Sequence, residues 1–165
     1  MRKICAVLLL SVFLLCGGCA LSKKPKVSVL PKCTGTVFIG ESAFGIDVDF
    51  CTKPETITIH SADHAFDTVY TFEGKSITLQ YDEIVTHLDL SALPDTNTAS
   101  LIYKLMHLMT SKKIKWEKNG SLYHFYGTLN GTAFSGECDK EGKIRSFEIP
   151  LYKLYFKAKN FTAKD

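Results

Sequence analysis

An excess of either charge is nearly absent here: 20 lysines and arginines stand against 17 aspartates and glutamates in 165 residues. Without Arg2 and Lys3 the 20 become 18 against 17, so the pI of about 8.5 is largely a property of the first few residues. A nearly neutral chain lacks the basic footprint of nucleic-acid binding, and no nucleic-acid partner is expected. The short motifs that carry chemistry are missing too: there is no G-x-S-x-G elbow, no phosphate-binding glycine loop and no H-E-x-x-H. No apolar run reaches the roughly 20 residues that span a bilayer core.

What is present begins with a leader. Arg2 and Lys3 precede an apolar stretch, residues 4–15, which runs into Cys16-Gly17-Gly18-Cys19. This is the order of a charged region, a hydrophobic region and a small-residue cleavage site. Gly17, Gly18 and Cys19 resemble the lipobox of bacterial lipoproteins, although Cys16 stands where that pattern has leucine. The resemblance implies cleavage after residue 18 and lipidation of Cys19. The mature chain is then anchored on the extracytoplasmic side of a bacterial membrane, in the cell envelope. Residues 19–32 read as a tether, with Lys23, Lys24, Pro25, Lys26 and Pro31. Lysines beside anionic headgroups each add about 1 kcal/mol of attraction; a solvated linker fits the same residues. Residues 33–165 form one domain.

Of six cysteines, Cys5 and Cys16 lie in the leader and Cys19 is the lipid acceptor, which leaves Cys33, Cys51 and Cys138. The remainder is odd, so at least one thiol is free or pairs between molecules. None of the three has a partner at the CxxC spacing of a metal or redox site. Export permits a disulfide, and Cys33 with Cys51 is the candidate pair. They flank a first hairpin with its loop near residues 41–43. An even register sets them side by side. An odd register pairs Val37 with Val48 and Ile39 with Ile46, packs the core better and turns the cysteines apart.

From Thr34 onward the apolar period is mostly two. Phe44, Ile46, Val48 and Phe50 alternate with Gly45, Asp47 and Asp49, as in a half-buried strand. Ile57 and Ile59 follow Pro54. Residues 68–72 and 76–81 flank Glu73-Gly74, a hairpin turn. Residues 84–90 place Ile84, Leu88 and Leu90 opposite His87 and Asp89. Asn119-Gly120, Asn130-Gly131 and Glu141-Gly142 then recur at intervals of about eleven residues, and Asn-Gly favours the two-residue turn of a hairpin. They delimit a meander of residues 122–129, 132–138 and 143–149, closed by 151–157. One segment differs: residues 98–110 carry Leu101, Ile102, Leu105, Met106, Leu108 and Met109 on one side of a helix and Ser100, Lys104 and His107, with Ser111, on the other. Pro94-Asp95 and Thr98 mark its start. The predicted class is α+β, mainly β: a curved antiparallel sheet with one amphipathic helix across its concave face.

The polar clusters read as solvated surface. His60, Asp63 and His64 fall in an expected loop, and no metal site is assigned. Asp47 and Asp49 share the solvent face of a strand, and His87 and Asp89 lack a nucleophile to activate. No catalytic residue and no cofactor is expected. The helix stripe has two readings. Met106 and Met109 among leucines are an adaptable apolar surface, either packed into an ordinary core or forming a lid over a ligand cavity. The walls of that cavity are Phe44, Ile46, Val48, Phe50, Ile57, Ile59, Ile77, Leu79 and Phe134, beneath Leu101, Leu105, Met106, Leu108 and Met109.

Several stretches resemble the LolA/LolB-like lipoprotein carriers and their LppX-type relatives. These are Phe50, Pro54 and Ile57; Tyr70-Thr71-Phe72-Glu73-Gly74-Lys75; Leu93-Pro94 before the helix; and Asp139 and Gly142-Lys143-Ile144 running into Phe147-Glu148-Ile149-Pro150. The resemblance implies an unclosed antiparallel barrel holding acyl chains. The function it implies is a membrane-anchored, non-catalytic lipoprotein that binds an apolar ligand, a lipid or the acyl chain of another lipoprotein. The rival expectation is a structural or protein-interaction lipoprotein with a packed core. It would use strand edges or an aromatic face of Tyr123, Phe125, Tyr152 and Tyr155, with a partner the residues do not identify.

Overall fold

A computed structural model describes residues 25, 32–61, 67–111 and 113–161. Cys19, the leader, nearly all of the tether, and Asp63 and His64 lie outside the described residues.

The period-two segments form eleven strands. These are β1 (Lys32–Ile39), β2 (Ser42–Asp49), β3 (Glu55–His60), β4 (Asp67–Glu73), β5 (Ser76–Tyr81), β6 (Ile84–Asp89), β7 (Lys115–Asn119), β8 (Leu122–Leu129), β9 (Thr132–Asp139), β10 (Ile144–Ile149) and β11 (Leu154–Phe161). They make one antiparallel sheet in the order β6-β5-β4-β3-β2-β1-β11-β10-β9-β8-β7. Its middle is the long-range pair β1–β11, with Val37 opposite Phe156. Its edges, β6 and β7, are the strands joined through the helix, so the sheet is an unclosed barrel with the helical connection running from one edge to the other.

Turn chemistry sets the registers. Asn130 and Gly131 both adopt positive φ, 51° and 79°, as the two-residue turn between β8 and β9 requires. Two other turns lie one residue later than expected. Glu73 and Asn119 pair within their strands, and the turns are Gly74-Lys75 and Gly120-Ser121. The closing strand also starts late. Pro150–Tyr152 forms a 3-10 turn that ends on Lys153 at φ 49°, so pairing begins at Leu154.

The first hairpin turns on Gly40-Glu41, with Ile39 opposite Ser42, rather than on residues 41–43. Its register is odd but slid relative to the expected one: Val37 faces Phe44 and Cys33 faces Val48. Gly40, at φ 61°, lets the chain reverse that early. Cys33 therefore points into the core, 3% exposed, while Cys51 lies beyond the end of β2. Cys33 and Cys138 are free buried thiols, so the Cys33–Cys51 bridge is not formed.

The helix, α1 (Thr98–Met109), is capped by Asn97, whose Oδ1 accepts the Ser100 N–H at 2.9 Å. Neither Asp95 nor Thr98 fills that role. Ala99, Ser100, Leu101, Ile102, Leu105, Met106 and Met109 are buried. The buried arc is thus rotated toward Ser100, which had been placed on the polar side, and Leu108 is left half-buried. One row of the inward sheet face runs Trp116, Phe125, Gly136, Phe147, Phe156, Val37, Phe44 across seven strands. Gly136 is required in it: a Cβ there would lie 2.3 Å from Phe125 Cζ and 2.5 Å from the Ser146 carbonyl oxygen.

Candidate functional site

Period two sends alternate residues of β2, β3 and β5 inward, and the barrel curves them around α1. All fourteen predicted pocket residues meet there. Ile46, Val48, Phe50, Ile57, Ile77, Leu101, Leu105, Met106, Met109 and Phe134 belong to one buried cluster, and Phe44, Ile59, Leu79 and Leu108 pack against it. The space between them is filled. Ile57, Leu105 and Met106 are 0% exposed, so no void large enough for a water molecule borders them. The helix itself occupies the volume that a cavity would need.

At the mouth beside the β2–β3 loop the interior becomes polar. Glu55 is on the inward phase of β3, two residues before Ile57, and is 2% exposed. Its Oε2 lies 2.7 Å from His107 Nε2 on α1, and Lys53 Nζ donates to its Oε1. Burial pushes the Glu55 carboxyl up, but hydrogen bonds and charge from Lys53 and His107 outweigh this and hold it below the ordinary carboxylate value. Tyr103, one turn earlier on α1, stacks on Phe72 with ring centroids 4.1 Å apart, and Phe50 meets Tyr103 edge-on at 5.9 Å. A cleft of about 550 Å³ opens here between Lys53, Phe72, Glu73, Tyr103 and His107. The other end of α1 is held by Asp95, which accepts from Asn130 Nδ2 at 3.1 Å in the β8–β9 turn. The helix is therefore gripped by an apolar stripe along its length and by polar contacts at both ends.

The sequence reading missed Glu55, Lys53, Tyr103 and the inward reach of His107. A signal was present: residues 55, 57 and 59 share one phase, so the phase that buries Ile57 also buries a carboxylate. A buried carboxylate requires a cationic or hydrogen-bonding partner.

The remaining polar candidates are separated. His60 is the last residue of β3 rather than part of a loop, and it bridges Asp47 at 3.2 Å and Asp67 at 3.0 Å across three strands. Burial lowers its pKa, but the hydrogen bonds and charges of Asp67 and Asp47 more than offset this and leave it above the ordinary histidine value. Asp49 pairs instead with Lys32 at 2.9 Å and accepts the Cys51 and Thr52 N–H groups. His87 bonds Thr78 at 2.9 Å, and Asp89 caps Ser91. Among the described residues no three such side chains are grouped to hold a metal.

The expected aromatic face is not one surface. Phe125 is fully buried, Tyr123 and Tyr152 pack against the core, and only Tyr155 turns outward, against Phe38 at 5.8 Å. Tyr155 borders a different feature, an outer groove of about 550 Å³ that also includes Glu117, Tyr126, Glu137 and Glu148. No helix among the described residues is long and apolar enough to cross a membrane. No protein-family model matches this chain, and no curated protein matches it.

Proposed function

We propose that this chain is a membrane-anchored, non-catalytic lipoprotein of the carrier-like kind resembled by LolA. In this reading it takes an apolar chain, such as a lipid or lipoprotein acyl group, into the space its own helix fills. The observation that carries the reading is the place of α1. It lies in the connection between the two edge strands of the sheet, and its inward face is wholly apolar apart from Ser100. Withdrawing Leu101, Ile102, Leu105, Met106 and Met109 into water would cost about 1.5–3 kcal/mol each, roughly 8–15 kcal/mol together. A sixteen-carbon acyl chain leaving a bilayer for water costs about 13 kcal/mol at about 0.8 kcal/mol per methylene. Either step alone is prohibitive. At a bilayer surface, however, the acyl chain can enter the barrel as the helix stripe enters the membrane interface, so neither apolar surface passes through water and neither cost is incurred. The lipid anchor read at Cys19 would hold the domain where this exchange is available.

The test incubates full-length protein with vesicles carrying a fluorescent fatty acid, and separately with the same fatty acid below its micelle concentration in water. Loading at vesicles and little loading in water is expected. A protein that takes up neither belongs to the second reading, a protein-interaction module whose interior is structural. That reading is favoured by the complete burial of Leu105 and Met106.

A further inference from the structure

The two edges of the sheet are protected very differently. β7 carries Lys115, Glu117 and Lys118 in five residues, the usual guard against pairing with another chain. β6 has no lysine, no proline and no irregularity in its register with β5. Ile84 is 65% and Val85 51% exposed, and Thr86 and His87 are exposed as well. Among the described residues β6 pairs only with β5, so its outer row of backbone donors and acceptors is a template for a further strand.

The side chains of β6 fit one partner in particular. A two-fold axis perpendicular to the sheet makes the joined strands antiparallel and keeps inward residues beside inward residues, so only registers that preserve this parity are open. With the axis at Thr86, Ile84 lies opposite the partner's Leu88, Val85 opposite the partner's His87, and Thr86 opposite the partner's Thr86. No like charges oppose each other over these five residues; the next pair in this register, Asp89 with the partner's Glu83, sets two carboxylates together at each end. Because Tyr81 faces Ile84 and Ile77 faces Leu88 within one subunit, the inward row becomes Tyr81, Ile84, the partner's Leu88, the partner's Ile77. An apolar row that ends in solvent in one copy thus continues into the core of the other. We propose that β6 is a homodimerisation edge, pairing antiparallel with β6 of a second copy of this chain about Thr86 and joining two open barrels into one continuous sheet.

The test uses the full-length protein in detergent, with the wild-type chain as baseline for its native cysteines. Facing residues of an antiparallel pair lie about 4.5–5.5 Å apart at Cα, within the 4.4–6.8 Å range of a disulfide. Thr86→Cys should therefore give a disulfide-linked homodimer on mild oxidation much faster than Lys118→Cys on β7. Ile84→Cys and Leu88→Cys should each cross-link poorly alone and well when mixed, which reads the register. Val85→Lys changes an exposed side chain, and it should lower the dimer fraction in sedimentation by about tenfold with the near-UV spectrum unchanged. A Thr86→Cys protein no faster than the Lys118→Cys control overturns the proposal. So does a Thr86→Cys adduct with a different protein in place of the homodimer, or a Val85→Lys protein that sediments as wild type.

Discussion

His107 on the helix and Glu55 on β3 are 52 positions apart in sequence and 2.7 Å apart in space. Their contact pins the helix to the barrel wall where, alone among the described residues, a buried side chain carries a charge. Replacing Glu55 by glutamine keeps the shape and removes that charge. The variant is expected to lose roughly 1–3 kcal/mol of unfolding free energy near neutral pH, measured by urea titration. The pH dependence has a defined sign. Because the folded carboxyl is held below its unfolded value, its contribution is present above the unfolded carboxylate range and is lost as pH falls through the lower folded value. Acid titration of stability should be shallower for Glu55→Gln than for wild type.

His60 works in the opposite direction. Its folded pKa lies above 6.5, so the stabilisation from Asp47 and Asp67 is complete below 6.5 and fades as pH rises through the folded value. Thermal unfolding of wild type should show this decline as pH rises above the ordinary histidine value, and His60→Gln should lack it. The imidazole is a quarter exposed, so the difference is expected to be modest, about 0.5–1 kcal/mol.

Gly136→Ala should be more damaging than its size suggests. The added methyl group would collide with the Phe125 ring on one side and a strand carbonyl on the other. Neither can move without disturbing the row from Trp116 to Phe44. Overpacking of this kind costs about 1–3 kcal/mol, and the midpoint of chemical unfolding should fall accordingly.

The buried thiols should be silent. Burial, with smaller contributions from Asp47 and Cys51, pushes Cys33 up to about 12; burial, with Asp139, pushes Cys138 to about 12 as well. Maleimide labelling followed by peptide mapping should leave both unmodified in the native protein and label both in urea.

The fold was legible wherever one residue determines one conformation. The Asn130-Gly131 turn and the strand of residues 76–81 stand where the pattern placed them, and the helix ends one residue earlier than expected. Registers were harder to read. A hairpin slides with its turn, and placing the first turn at residues 41–43 instead of Gly40-Glu41 moved the partner of Val37 from Phe44 to Val48. The pairing of β1 with β11 left no local trace, because it joins the two ends of the domain without a turn between them. The apolar wall could be read because burial imposes periodicity on sequence. Its being filled could not, since a stripe that lines a cavity and one that fills it have the same composition. Glu55 was overlooked because its neighbours in sequence, Pro54 and Thr56, suggest a surface. Only its phase with Ile57 and Ile59 marks it as buried.

Native mass spectrometry of full-length protein released from lipid vesicles is the sharpest test of the proposed exchange of helix for acyl chain at a membrane. A discrete population heavier by the mass of one acyl lipid than protein never exposed to vesicles is expected. That population should disappear when the same protein is kept from vesicles. Protein that remains uniformly free of added lipid after prolonged exposure to vesicles would contradict it and leave the helix as a permanent part of the core.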